Sequence, residues 1–222
     1  MAGEQAGRGL TGRLFGWARG ADGDRRDDKP GQQLPTKALV RFLTALASRE
    51  SPVVLDLGPI VGPNVGFLGE RLGCKLIVED ILADLDRFVR DGRPAEFPAF
   101  LDTRFTQGDA SVDGILCWDV VDFLDKRSAQ ALGRQLARVL KPGGALLGFF
   151  ANALPDKSSP THYSKFLIVD DKTLERRSYP GAQPRQPVLN SRDVARLFEG
   201  MRVAESFLLL TKTRELLFRK PA

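Results

Sequence analysis

Residues 53 to 80, VVLDLGPIVGPNVGFLGERLGCKLIVED, constrain this chain more than any other stretch, because they read as strand, turn, helix, second strand and acidic pair. Val53, Val54, Leu55 and Leu57 form a short apolar run with β-branched members, which suits a strand covered on both faces of a parallel sheet. Asp56 and Gly58 close it, and the chain must then turn at the carboxyl end of the strand, where open α/β sheets hold their ligands. Gly58 and Gly62 are expected to supply the backbone freedom, Asn64 to cap the helix that follows, and Gly73 to end it. Lys75 to Val78 is a second apolar strand ending in Glu79 and Asp80, roughly 20 residues past the turn, where a carboxylate can accept both ribose hydroxyls. An adenosine-type ligand fits this spacing. Neither the Gly-x-Gly-x-x-Gly dinucleotide fingerprint nor the Gly-x-x-x-x-Gly-Lys-Ser/Thr phosphate loop follows the strand, so phosphate cradling is not expected.

Together with VDGILCWDVVDFLD at 112 to 125 and LARVLKPGGALLGFF at 136 to 150, the opening stretch resembles the class I S-adenosylmethionine-dependent methyltransferases. The resemblance covers about 53 to 150 well and the tail loosely. It implies a doubly wound, mostly parallel α/β sheet of Rossmann-like type with an antiparallel final strand. It also implies S-adenosylmethionine lying across Asp56, Gly58, Pro59 and Gly62, with Glu79 or Asp80 on the ribose and Cys117 and Trp118 at the facing strand end. Spacing favours Asp80 of the two acids. One position departs from the family pattern: Ile60 stands where the middle glycine of the turn is usual, and a β-branched residue resists positive φ and adds a Cβ beside the cofactor.

The rest of the chain completes such a fold. Leu39, Val40, Phe42, Leu43 and Leu46 recur at helical spacing after a Thr36 cap, and Ile81, Leu85, Phe88 and Val89 mark a helix stopped by Gly92 and Pro94. Where the family has a third strand, only FPAFLDTRF occurs, interrupted by Pro98, so that strand is expected to be short or lost and Asp109 to be a turn residue. A fourth strand spans Val112 to Trp118, a helix Ser128 to Leu140, and a fifth strand Ala145 to Phe150 after the Lys141-Pro142-Gly143-Gly144 break. Residues 152 to 187 form an insertion expected to cover the site, with Phe166, Ile168 and Val169 pairing with Leu174 and Arg176 in a hairpin over an Asp170-Asp171-Lys172 turn. Ser191 is expected to cap a helix through Phe198, and Val203 to Leu210 and Glu215 to Phe218 to form a closing antiparallel pair. Residues 1 to 34 read as a flexible tail, with a weak basic amphipathic turn around Leu10, Leu14, Phe15 and Trp17, and residues 35 to 222 as the domain.

Composition narrows the function. No apolar run approaches the roughly 20 residues of a membrane span, and the first residues lack the unbroken apolar core of a signal peptide, so a cytoplasmic location is expected. Cys74 and Cys117 fall at opposite ends of a parallel sheet, which rules out a disulfide, and one histidine with no Cys-x-x-Cys pair leaves a zinc site without ligands. The net charge of +5 is concentrated in residues 151 to 222, with 13 basic and 8 acidic side chains, but no aromatic-interleaved basic patch or base-amine methyltransferase signature occurs. A small-molecule acceptor is therefore expected rather than nucleic acid. Asp119 and His162 are the candidate bases, one on each side of the cleft. The alternative class is a binding or scaffold protein that keeps the fold without turnover, for which Ile60 and the short or lost third strand speak.

Overall fold

The computed structural model describes residues 31–153, 161–209 and 211–222. The tail reading for residues 1 to 30, including Leu10 to Trp17, and the polar loop at 155 to 160 lie outside the described residues.

Two strand-helix-strand passages set the frame. β2 (Val53–Asp56), α2 (Gly62–Leu72), β3 (Lys75–Val78) and α3 (Ile81–Arg90) follow as the apolar runs require, and Gly73 ends α2 in the left-handed region at φ 59. β4 (Val112–Trp118), α5 (Lys126–Val139) and β5 (Leu140–Ala151) make the second passage. The main sheet has the order β3-β2-β4-β5-β9-β8, with β8 (Arg202–Leu208) and β9 (Thr213–Arg219). β3, β2, β4 and β5 run parallel, while β9 is antiparallel to both β5 and β8. β2 thus lies between β3 and β4. All seven residues of β4 are buried, as a strand covered on both faces should be.

The third strand is absent. FPAFLDTR instead forms α4 (Phe97–Arg104), because a proline in the first helical turn leaves no broken hydrogen bond, whereas it would interrupt a ladder. Phe97, Phe100 and Phe88 then cluster with ring centroids 5.0 to 5.8 Å apart. Asp109 is a largely exposed turn residue paired with Arg138 at 2.8 Å.

Several boundaries differ from the sequence reading. α5 starts two residues earlier, because Asp125 rather than Ser128 caps it, accepting from the Ser128 amide at 2.7 Å. α6 (Ser191–Leu197) is capped by Asn190 and not by Ser191. Lys141 to Gly144 does not precede β5 but bulges within it: the register passes from Val112↔Leu140 to Gly114↔Ala145, and Gly143 takes φ 71.

A second sheet, β1-β7-β6, is antiparallel. β6 (His162–Asp170) and β7 (Thr173–Pro180) are the expected hairpin. β1 (Gln32–Pro35) pairs with β7, so Gln32 to Leu34, inside the stretch read as tail, form a strand whose partner lies more than a hundred residues away. α1 (Ala38–Leu46) follows, with Thr36 Oγ1 accepting from the Leu39 amide.

Helices cover the two faces of the main sheet. Leu82, Leu101, Leu132, Leu136 and Phe198 pack on one, and Leu39, Phe42, Leu46 and Leu68 on the other, where Phe166, Ile168 and Leu174 of the small sheet join them. Among the described residues no helix is long and apolar enough to cross a membrane, and no cluster of three or more His, Cys, Asp or Glu side chains is placed to hold a metal ion.

Candidate functional site

The turn after β2 and the carboxyl end of β4 meet through one residue pair. Trp118 Nε1 donates to Asp56 Oδ1 at 2.6 Å, and the Gly58 amide donates to the same oxygen at 2.9 Å. Burial raises the Asp56 carboxyl to about 6, against the effect of these two bonds. The indole lies so close over the turn that a Cβ on Gly58 would meet Trp118 Cδ1 at 3.0 Å. Gly58 is thus needed for close approach, not for positive φ, which neither it nor Gly62 adopts. Trp118 itself has φ 49, a strained value for a bulky residue. It is held there by Asp56 and by stacking on Phe166, with centroids 5.3 Å apart and planes 10° apart.

Ile60 also differs from expectation: its backbone is not in the left-handed region and its side chain is 69% exposed. Gly62 starts α2 with open space where a side chain would stand, and Pro59 is half-buried beside it. Asn64 does not cap α2, whose start has no side-chain cap. Its amide instead joins the helix to the hairpin, Nδ2 donating to Phe166 O at 2.8 Å and Oδ1 accepting from the Ile168 amide at 2.7 Å.

At the end of β3 the two acids have different partners. Glu79 is engaged at both oxygens, by Gln107 Nε2 at 2.8 Å and by Arg104 Nη1 at 2.6 Å. Asp80 caps α3 through Oδ1, which accepts from the Ala83 amide at 3.0 Å, and burial raises its carboxyl. Tyr179 of β7 feels Asp80 and Asp119, burial raises its phenol, and its buried hydroxyl has no partner among the described residues. Next to it Tyr163 donates to Asp86 Oδ1 at 2.5 Å and packs edge-on against Phe123. A group carrying a ribose therefore finds in Asp80 an acid with spare acceptor capacity and in Tyr179 an unpartnered hydroxyl, whereas Glu79 is already satisfied. Those two residues fit it. Trp118 occupies the space directly above Gly58, and Phe166 stacks on the indole.

Beyond Trp118, Asp119 precedes a short 3-10 turn, Val120–Phe123, without capping it by its side chain. Its Oδ2 meets Arg185 Nη2 at 2.5 Å, and Arg185 also pairs with Asp122 and lies 4.6 Å over the Phe123 ring. Burial raises the Asp122 carboxyl to about 7 despite Arg185. Asp119 and Asp122 line a cavity of about 310 Å³ whose wall includes Phe149, Phe166, Thr211 and Glu215. Cys117 does not reach this cleft: its thiol is buried in the core on the opposite face, and burial pushes it upward. His162 is exposed at the start of β6 and is not among the residues that line the cavity with Asp119.

Sequence reasoning missed Arg185, Tyr179, Asn64 as a tether and Glu215. Only Glu215 carried a signal, as a lone acid entering the apolar run Leu216 to Phe218.

A family model described as a methyltransferase domain matches residues 55–148. No curated protein matches the chain. Among solved structures it is similar to a Burkholderia thailandensis 1,6-didemethyltoxoflavin-N1-methyltransferase with bound 1,6-didemethyltoxoflavin and S-adenosylhomocysteine, at 16% identity over 84% of this chain and 78% of that one, TM-score 0.49. It is likewise similar to the CcbJ methyltransferase from Streptomyces caelestis, at 16% identity over 82% and 88%, TM-score 0.48. A SAM dependent methyltransferase from Aquifex aeolicus is similar at 17% identity over 81% and 88%, TM-score 0.47. The stretch matched by the methyltransferase-domain model runs from β2 to β5 and contains the Asp56–Gly62 turn and the carboxyl ends of β3 and β4.

Proposed function

We propose that this protein transfers a methyl group from S-adenosylmethionine to a small-molecule acceptor, in the cleft at the carboxyl ends of β2, β3 and β4. The observation that carries the reading is the arrangement of the Asp56–Gly62 turn, running into the amino end of α2, with Asp80 and the unpartnered Tyr179 hydroxyl beyond the next strand. Asp56, Gly58, Pro59 and Gly62 would hold the methionine side and Asp80 the ribose. Such a cofactor brings its own electrophilic methyl group. The chain has then to orient the acceptor, exclude water, and in the case of Asp119 receive or steer a proton. The β6–β7 hairpin acts as a cover, tethered to α2 by Asn64 and to Trp118 by Phe166. A small acceptor is preferred to nucleic acid because the charge surplus forms no aromatic-interleaved patch, and the free cysteines suit a cytoplasmic enzyme.

Calorimetric titration with S-adenosylmethionine and S-adenosylhomocysteine tests this. Asp80→Ala should weaken binding about tenfold or more, as the loss of a charge-assisted bond of about 1.5 to 3 kcal/mol implies. Glu79→Ala should chiefly destabilise the fold by unpairing Arg104. Unchanged affinity in Asp80→Ala would refute the assignment. A second reading, a binding protein without turnover, is favoured by Trp118 filling the space above Gly58 with Phe166 stacked on it. It predicts no heat with either nucleoside and no gain of binding in Phe166→Ala.

A further inference from the structure

Three residues that line the cavity beside Asp119 each carry a buried oxygen with no donor among the described residues. Asp119 is 3% exposed, and Glu215, which stands opposite Phe149 of β5 in β9, is fully buried. Each uses only one carboxyl oxygen. Asp119 Oδ2 is taken by Arg185, and Glu215 Oε2 accepts from the Lys37 and Ala38 amides at 2.8 and 3.0 Å, closing the amino end of α1. Asp119 Oδ1, Glu215 Oε1 and Thr211 Oγ1 have no partner among the described residues, and all three residues line the same cavity. Buried polar atoms are nearly always partnered, so three acceptors around one space describe what should enter it. A carboxylate only accepts, which makes the missing partner a donor, and two buried carboxylates beside one space favour a donor that carries positive charge.

We infer that this cavity binds a small amine, with its nitrogen between Asp119, Glu215 and Thr211 and its apolar part against Phe149 and Phe166. An aromatic wall suits a cationic nitrogen as well as a hydrocarbon. The cations that line the cavity do not oppose this. Arg185 is committed to Asp119 and Asp122, Arg176 donates to Gln32 Oε1 in an exposed bond, and Lys212 is exposed to solvent. A metal ion is a poorer match, since no group of three or more metal-ligating side chains assembles among the described residues. The amine's role as methyl acceptor rests on the function proposed above; its binding does not.

The test uses the full chain and three probes of one skeleton, 2-phenylethylamine, 2-phenylethanol and 3-phenylpropionate, titrated calorimetrically with and without S-adenosylhomocysteine. The amine should bind at least tenfold more tightly than the alcohol, and the acid should give no heat. Glu215→Gln keeps an oxygen for the Lys37 and Ala38 amides while turning the unpartnered acceptor into a donor, so it should lower amine affinity at least tenfold without lowering the melting midpoint. Asp119→Asn should do the same and serves if Glu215→Gln does not fold. Equal binding of amine and alcohol, no binding of any probe, or unaltered amine affinity in the variant that folds would overturn the inference. Loss of S-adenosylhomocysteine binding alone would overturn the cofactor reading and leave the amine site standing.

Discussion

Asp56 is the residue at which stability and site construction meet. Its carboxyl is raised to about 6 by burial, so the folded chain holds a proton there that the unfolded chain has already released. Stability from this group is therefore complete at low pH and falls as pH rises from the ordinary carboxylate range through about 6. At about 1.4 kcal/mol per pH unit the cost of ionising it in place reaches about 3 kcal/mol at neutrality. Asp56→Asn can keep both bonds, because Trp118 and Gly58 donate to the same oxygen. In urea unfolding from pH 4 to 8, the variant should gain on the native chain as pH rises, by up to about 3 kcal/mol, and level off above pH 6. Parallel curves would mean that Asp56 is not held protonated by the fold.

The decisive link between elements is Asn64, whose amide substitutes for a strand neighbour and ties the first turn of α2 to β6. Without it, two buried backbone groups lose their partners. Asn64→Ala should cost about 1 to 3 kcal/mol and speed amide exchange at Ile168 and along the hairpin, while β2 and β4 exchange as before. Unchanged exchange at Ile168 would show that the Trp118–Phe166 stack holds the hairpin by itself. Close approach also governs the helix side: a Cβ on Gly133 would lie 2.0 Å from the Leu197 carbonyl oxygen, so α5 and α6 can meet only at a glycine.

Cooperativity of the whole domain can be read from its thiols. Cys117 is fully buried in the central strand and burial pushes its thiol upward, whereas Cys74 is half-buried next to β3, a strand at the end of the main sheet. A thiol reagent should modify Cys74 in the native protein and reach Cys117 only by way of global unfolding, with a rate that follows the denaturant dependence of stability. Labelling of Cys117 at a rate insensitive to denaturant would reveal local opening of the sheet between β4 and β5.

By itself the sequence determined the alternation of β2, α2, β3, α3 and of β4, α5, β5, the antiparallel closing pair, and the hairpin. Each of these is written in local periodicity and in breakers such as Gly73 and the Asp170–Lys172 turn, which act within a few residues. It also put Asp56, Asp80 and Asp119 at the carboxyl ends of β2, β3 and β4, because residues at strand ends share one rim of a parallel sheet whatever packs around them. Tertiary structure alone decided the rest. Pro98 allows a helix start at Phe97 to Arg104, but that the segment packs there as a helix is decided by Phe88 and the core, which its apolar side chains meet. Gln32 to Pro35 is a strand only because β7 offers it an edge. Glu79 is engaged by Arg104 and Gln107, and Glu215 is brought to the cavity beside Asp119 by strand pairing and by the start of α1. These outcomes depend on partners distant in the chain, and spacing along the sequence carries no information about which of several available donors an acid will meet.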